Sequence, residues 1–254
     1  MKYEEVLYED SLIKVFRSFD GKTVLKQFPF LTNEKRIEHE YNNSLMIKNL
    51  PFNKAKVIGR NEVHGKMGII YEYIKGKKLK DLLIDDFYKE THSSYNEYSL
   101  QLSSLHKRLL NCKAPENAIS YKKNLTRKVQ RSEVHTKQEK REALDLIKSL
   151  PEGESLCHGS LVPNNVIISE GESYAIDFAS ITRGPIFFDI AKTYCCTVQN
   201  YRKKTLEENF SKEFRKDLKT FADLYLNDMG VSWSDIKDYH YLVNFSKTAH
   251  HGIR

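Results

Sequence analysis

An amide and a carboxylate, Asn165 and Asp177, stand twelve residues apart with Glu170-Gly171-Glu172 between them. Val166-Ile167-Ile168 and Tyr174-Ala175-Ile176 are short β-prone runs on either side, and a glycine between two such runs is a common hairpin turn. Because Asn165 and Asp177 lie six residues to each side of Gly171, antiparallel pairing centred there brings their side chains together at the open end. Two hard oxygen donors with room for water and phosphate suit Mg²⁺, which usually takes one or two protein oxygens and completes its octahedron with water and nucleotide. The plain alternative is a hairpin with a polar mouth.

The residues leading into the hairpin favour the metal. His158-Gly159-Ser160-Leu161-Val162-Pro163-Asn164-Asn165 resembles the His-Gly-Asp-(four residues)-Asn loop of the aminoglycoside phosphotransferase and choline kinase group, small-molecule kinases with a protein-kinase-like fold. Downstream, Asp177-Phe178 is similar to that group's second metal-binding element, and Arg183-Gly184-Pro185 and Asp189-Ile190-Ala191 look like its Gly-Pro and Asp-(Ile/Leu)-Ala elements. The resemblance covers nearly the whole chain. It implies an α+β, two-lobed fold, with Asn165 and Asp177 on Mg²⁺ and His158 supporting the loop. It also places Ser160 where the group has its catalytic Asp, and a neutral hydroxyl cannot be the carboxylate that receives the substrate's proton.

A site of this kind needs two scaffolds, and the chain divides accordingly into an N-lobe, residues 1–75, and a C-lobe, residues 76–254. In the first we read strands at 5–8, 12–17 and 23–28, a helix at 34–49, and strands near 55–58 and 68–73. Asn33 can cap the helix, and Ile37, Tyr41 and Leu45 recur every fourth residue as one apolar stripe. Lys26 falls in the third strand and Glu40 in the helix, so a salt bridge between them would match the family pair that orients the nucleotide phosphates. The first hairpin, residues 6–15, has no glycine, so its backbone cannot approach phosphates as a Gly-rich loop does. The run at 68–79 resembles the strand and hinge that join the lobes, which would set backbone groups of Glu72, Tyr73 and Ile74 against the base of ATP or GTP.

The C-lobe reads as mainly helical. Tyr98, Leu102, Leu105 and Leu109 form one core stripe, and Phe210, Phe214, Leu218, Phe221 and Tyr225 another, with Gly230 as a C-cap. His106 sits beside the first stripe, where a lone helical histidine reads as structural or solvated, and no role is assigned to it. Residues 121–148 mix many lysines and arginines with glutamates and an aspartate, the pattern of a solvated helix face, with a site for an acidic substrate, nucleic acid or a partner as the alternative. After Tyr121 that segment has no aromatic residue for base stacking, which argues against nucleic acid as a partner.

At 254 residues, 40% hydrophobic, the chain can bury a sizeable core, and its formal net charge of +7 permits anionic ligands without selecting one. No long apolar run suggests a membrane partner, and the N-terminal residues lack the apolar core of a signal peptide, so a cytoplasmic location is expected. Cys112, Cys157, Cys195 and Cys196 lack metal-ligand spacing and are expected as reduced, buried thiols. Function is left between two readings. One is a kinase passing the γ-phosphate of ATP or GTP to the hydroxyl of an unidentified small molecule, weakened at Ser160. The other is a pseudokinase that binds nucleotide or serves as a scaffold without transfer, and a basic nucleic-acid adaptor is a lesser third.

Overall fold

The computed structural model describes residues 3–10, 13–29, 32–63, 65–89, 94–199 and 208–248. Its N-terminal part is an antiparallel sheet of β1 (Tyr3–Glu9), β2 (Lys14–Ser18), β3 (Thr23–Gln27), β4 (Val57–Val63) and β5 (Lys66–Glu72) in the spatial order β1-β2-β3-β5-β4. Helix α1 (Glu34–Met46) packs on β4 and β5. Compared with the sequence reading, α1 ends three residues early, and the fourth strand begins two residues later and extends well past 58. Leu12, placed in the second strand by sequence, lies outside the described residues.

Asn33 caps α1 as its composition suggests, its side chain accepting from the Lys35 amide at 2.9 Å. The apolar stripe, however, does not choose the inward face. Ile37 is buried, but Tyr41 is half-buried and Leu45 is 43% exposed, whereas Glu40, Asn43 and Ser44 are buried. The helix turns a polar face inward because that face has polar partners, one on β3 and one in the segment after β9. Glu40 meets Lys26, and the Asn43 amide donates to the Phe178 carbonyl at 2.9 Å. The outward Tyr41 ring instead lies under the Arg60 guanidinium at 4.6 Å.

The rest of the chain is mainly helical. It contains β6 (Lys77–Lys78), α2 (Leu79–Tyr88), α3 (Tyr95–Leu110), α4 (Tyr121–Arg131), α5 (Lys137–Ser149) and β7 (Ser155–Cys157). A 3-10 turn, Pro163–Asn165, then leads to β8 (Val166–Ser169), β9 (Glu172–Ala175), β10 (Thr182–Gly184), α6 (Ile186–Gln199), α7 (Glu208–Met229) and α8 (Trp233–Thr248). Leu102, Leu105 and Leu109 of α3 are fully buried, with Tyr98 half-buried, and they face a core that includes Phe214, Leu218, Phe221 and Tyr225 of α7. The Phe210 side chain lies outside the described residues. Gly230 ends α7 at φ 71°, with its own amide bonded to Asn227 and that of Val231 to Leu226, the paired bonds of a Schellman cap. All four cysteines are buried thiols outside any disulfide. Among the described residues no helix is long and apolar enough to cross a membrane.

Candidate active site

The hairpin is present, and its turn shifts the register expected for it. Strands β8 and β9 pair Val166 with Ala175 and Ser169 with Glu172, leaving Glu170-Gly171 as a two-residue turn with φ values of 49° and 79°. Two consecutive positive φ angles are those of a type I′ turn, whose twist matches that of the strands. The hairpin is therefore centred between Glu170 and Gly171, not on Gly171. As a result Asn165 stands opposite Ile176, whose amide donates to the Asn165 carbonyl at 3.0 Å, and Asp177 follows one residue beyond.

Asp177 has a φ of 68°, a left-handed conformation that a non-glycine residue holds only where the surroundings impose it. Its carboxylate meets Lys26, which lies opposite Ile69 in the β3-β5 pair. Its ammonium donates to Glu40 Oε1 at 2.7 Å and to Asp177 Oδ1 at 2.9 Å, bridging α1 to the hairpin mouth. Tyr71 on β5 adds a second donor to Glu40, its hydroxyl lying 3.2 Å from the same oxygen. Burial lowers the pKa of Lys26, but the charges of Asp177 and Glu40 outweigh it and hold the ammonium above its ordinary value. Burial likewise pushes Asp177 up, and the charge and hydrogen bond of Lys26 reverse this, holding it ionised below the usual carboxylate range. For Glu40 burial wins, aided by the nearby Asp177 charge, and its carboxyl sits above the usual range. The Asp177 side chain is closely surrounded yet remains 39% exposed, so an oxygen not engaged by Lys26 can face a ligand.

Asn165 is oriented by Ser160. Its Nδ2 donates to the Ser160 carbonyl at 2.8 Å and approaches Ser160 Oγ at 3.3 Å, which turns Oδ1 away as a free acceptor. Among the described residues no group of three or more His, Cys, Asp or Glu could hold a metal unaided. One amide oxygen and one carboxylate fit a hard cation that takes its other ligands from water and phosphate.

The loop between β7 and the 3-10 turn is anchored from behind. Asp189, fully buried in the first turn of α6, accepts from the His158 amide at 2.6 Å and the Gly159 amide at 2.7 Å. Its Oδ2 also lies 3.0 Å from His106 Nε2, and His106 Nδ1 lies 2.6 Å from the Tyr225 hydroxyl. One arrangement satisfies the whole chain: Tyr225 donates to Nδ1, and Nε2–H donates to Asp189. Burial raises the Asp189 carboxyl, but the hydrogen bonds it accepts from His106 and the Gly159 amide bring it below the ordinary value. Gly159 has a φ of 75°, and a Cβ there would stand 2.2 Å from the Ser180 carbonyl, so glycine is required. The His158 ring is fully buried against Phe178, centroids 5.5 Å apart, and neither nitrogen has a hydrogen-bond partner. Burial, opposed by the Asp189 and Asp177 charges, pulls its pKa down to about 4. His158 is thus a neutral packing group beneath the loop.

Of the hinge groups, the Glu72 amide is engaged by the Lys56 carbonyl at 2.8 Å and the Tyr73 amide by the Lys22 carbonyl at 2.9 Å. Among the described residues the Ile74 amide has no such partner, which leaves it as the donor available at this edge. Ser160 is half-buried beside the Asn165 amide, and both oxygens of the Asp189 carboxylate are taken by the loop amides and His106. The sequence reading missed the Tyr71 contact to Glu40 and the His106–Asp189–Tyr225 chain. His106 at helical spacing carried no signal beyond its own side chain.

The chain belongs to the phosphotransferase enzyme family, whose family model matches residues 14–226. No curated protein matches it by sequence. Among solved structures it is similar to amicoumacin kinase hAmiN in complex with AMP-PNP, Ca²⁺ and Ami, at 15% identity and a TM-score of 0.60 over 95% of this chain and 78% of that one. It is equally similar to an aminoglycoside-3′-phosphotransferase of type VIII, at 14% identity and a TM-score of 0.60 over 96% and 93% of the two chains. Aminoglycoside phosphotransferase APH(3″)-Id from Streptomyces rimosus, in complex with ADP and streptomycin, gives 14% identity and a TM-score of 0.56 over 96% and 92%. These likenesses establish the two-lobed, protein-kinase-like α+β fold.

Proposed function

We propose that the cleft binds ATP or GTP with Mg²⁺ and passes the γ-phosphate, slowly, to the hydroxyl of a small molecule. The observation that carries this is Lys26 held between Glu40 and Asp177, with the oxygen end of Asn165 free at the mouth of the same hairpin. In this reading Lys26 orients the nucleotide phosphates, Glu40 holds Lys26, and Asn165 and Asp177 hold the cation. The cation would neutralise charge on the phosphates. The Ile74 amide and the Glu72 carbonyl would face the base, with Tyr73 fixed in the strand behind them. His158 and Asp189 set the loop's path.

Phosphoryl transfer through a loose transition state depends mainly on positioning and charge stabilisation, so these groups supply rate without a base. The missing carboxylate at Ser160 costs roughly 10²- to 10⁴-fold, the usual contribution of general base catalysis. That deficit favours a second reading in which the protein binds nucleotide without transfer. Both readings require a thermal shift: nucleotide at about 100 times its Kd stabilises by about 2.7 kcal/mol. No shift with either ATP or GTP in the presence of Mg²⁺ overturns them together. Phosphorylated acceptor formed by the unmodified protein, and abolished by Asp177→Ala, excludes the silent binder.

A further inference from the structure

The first hairpin has no glycine through which backbone amides could reach phosphate, and Lys26 is already balanced by two carboxylates. Lys78 is a further cation on an element that adjoins this site. Lys78 pairs with Ile167 at the edge of the β6-β8-β9 sheet, and β6 packs against the turn that carries Asn165. Its side chain is half-buried, yet it forms no ion pair among the described residues. The ammonium instead lies 4.1 Å from the centroid of the Tyr8 ring, on β1 of the opposite lobe. Tyr8 is fixed for this contact, its hydroxyl donating to Asp10 Oδ2 at 2.7 Å while Asp10 Oδ1 accepts from the Ile13 amide at 2.9 Å.

We propose that Lys78 is a second phosphate-binding residue of the nucleotide cleft, held on the Tyr8 ring until the phosphate chain draws its ammonium away. A partly desolvated ammonium without a counter-charge is costly, and the ring repays only part of what water gave it. Burial lowers the Lys78 pKa, whereas the charges of Asp81, Asp177 and Asp10 act from beyond ion-pair distance to raise it. The Asp177 influence places Lys78 within electrostatic reach of the metal position. A nucleotide phosphate in the cleft would give this ammonium the full anionic partner it lacks, and doing so would join β1 to β6 across the bound ligand.

The inference rests on the nucleotide reading above, and the test separates the two. MgATP affinity is measured by calorimetry for the unmodified protein, Lys26→Ala, Lys78→Ala and Lys78→Arg, with the unfolding temperature of each recorded without nucleotide. A charge-assisted hydrogen bond predicts a loss of about 10-fold or more for Lys78→Ala. Lys78→Arg should restore most of it, and the ligand-free unfolding temperature should stay close to that of the unmodified protein. Binding that Lys26→Ala weakens and Lys78→Ala leaves intact overturns the role of Lys78 alone. Equal losses for the Ala and Arg variants overturn it too, since they would mark a packing role. No MgATP binding by the unmodified protein overturns the cleft reading and this inference with it.

Discussion

Replacing Lys26 with methionine removes the ammonium that holds the two lobes' acids together and keeps most of the side chain's volume. Two carboxylates then lose their counter-charge unequally, because the Glu40 side chain is 3% exposed and that of Asp177 is 39% exposed. Asp177 can turn to water. Glu40 cannot, and among the described residues keeps only the Tyr71 hydroxyl as a side-chain donor. Breaking a buried ion pair by removing one partner costs about 3–5 kcal/mol. The retained Tyr71 bond puts Lys26→Met at the lower end, about 3 kcal/mol, or ~6–12 °C for a chain of this size. Glu40→Gln added to Lys26→Met removes the stranded charge and should recover about 2 kcal/mol, a coupling visible in a double-mutant cycle. The pH dependence has a fixed sign. With Lys26 gone, the folded pKa of Glu40 rises further, and a raised folded pKa gives stability that is present at low pH and lost as pH rises. The deficit of Lys26→Met should therefore be smaller at pH ~5 than at pH ~7.5. The measurement is thermal or denaturant unfolding of the unmodified protein, Lys26→Met, Glu40→Gln and the double variant at both pH values. A single variant melting within about 2 °C of the unmodified protein at pH ~7.5, or a double variant no better than the single, would refute the buried-charge reasoning.

Other positions test the loop. Gly159→Ala should destabilise by about 2 kcal/mol or more, since the added Cβ meets the Ser180 carbonyl at 2.2 Å and the φ of 75° is strained for any side chain; unfolding indistinguishable from that of the unmodified protein would show that the loop relaxes freely. His158 has a folded pKa of about 4. This lies below the unfolded value of ~6.5, so the unfolded state binds the extra proton and stability falls as pH drops between these values, by about 3 kcal/mol in all. His158→Phe should flatten that slope, and an unchanged slope would assign it to other groups. Asp189→Asn exchanges an acceptor of three donors for an amide with one oxygen, and should lower stability by about 3 kcal/mol. A negligible change in its denaturation midpoint would remove Asp189 as the loop's anchor.

What could be read from the sequence was local. The β8-β9 hairpin follows from turn chemistry at Glu170-Gly171, although a two-residue I′ turn moved its centre by half a residue and set Asp177 one step beyond Asn165's partner. Lys26 and Glu40 could be paired because strand and helix positions follow from periodicity and the family motif. The inward face of α1 could not. Periodicity selects the apolar stripe of Ile37, Tyr41 and Leu45, whereas the fold buries Glu40 and Asn43 because their partners, Lys26 and the Phe178 carbonyl, are 14 and 135 residues away in sequence. The same limit hid His106, whose partners Asp189 and Tyr225 are 83 and 119 residues distant. Buried polar groups are fixed by what they meet, and only the folded chain shows the meeting.

The central claim is that the metal and phosphate half of this site is intact and the acceptor-activating half is lost at Ser160. It is tested most directly by comparing the unmodified protein with Ser160→Asp, measuring MgATP affinity by calorimetry and phosphate transfer across a broad panel of hydroxylated small molecules. The prediction is that both bind MgATP with similar affinity, both lose it with Asp177→Ala, and Ser160→Asp raises transfer by about 10²-fold or more. Transfer by the unmodified protein as fast as by Ser160→Asp, or no MgATP binding by either, would contradict it.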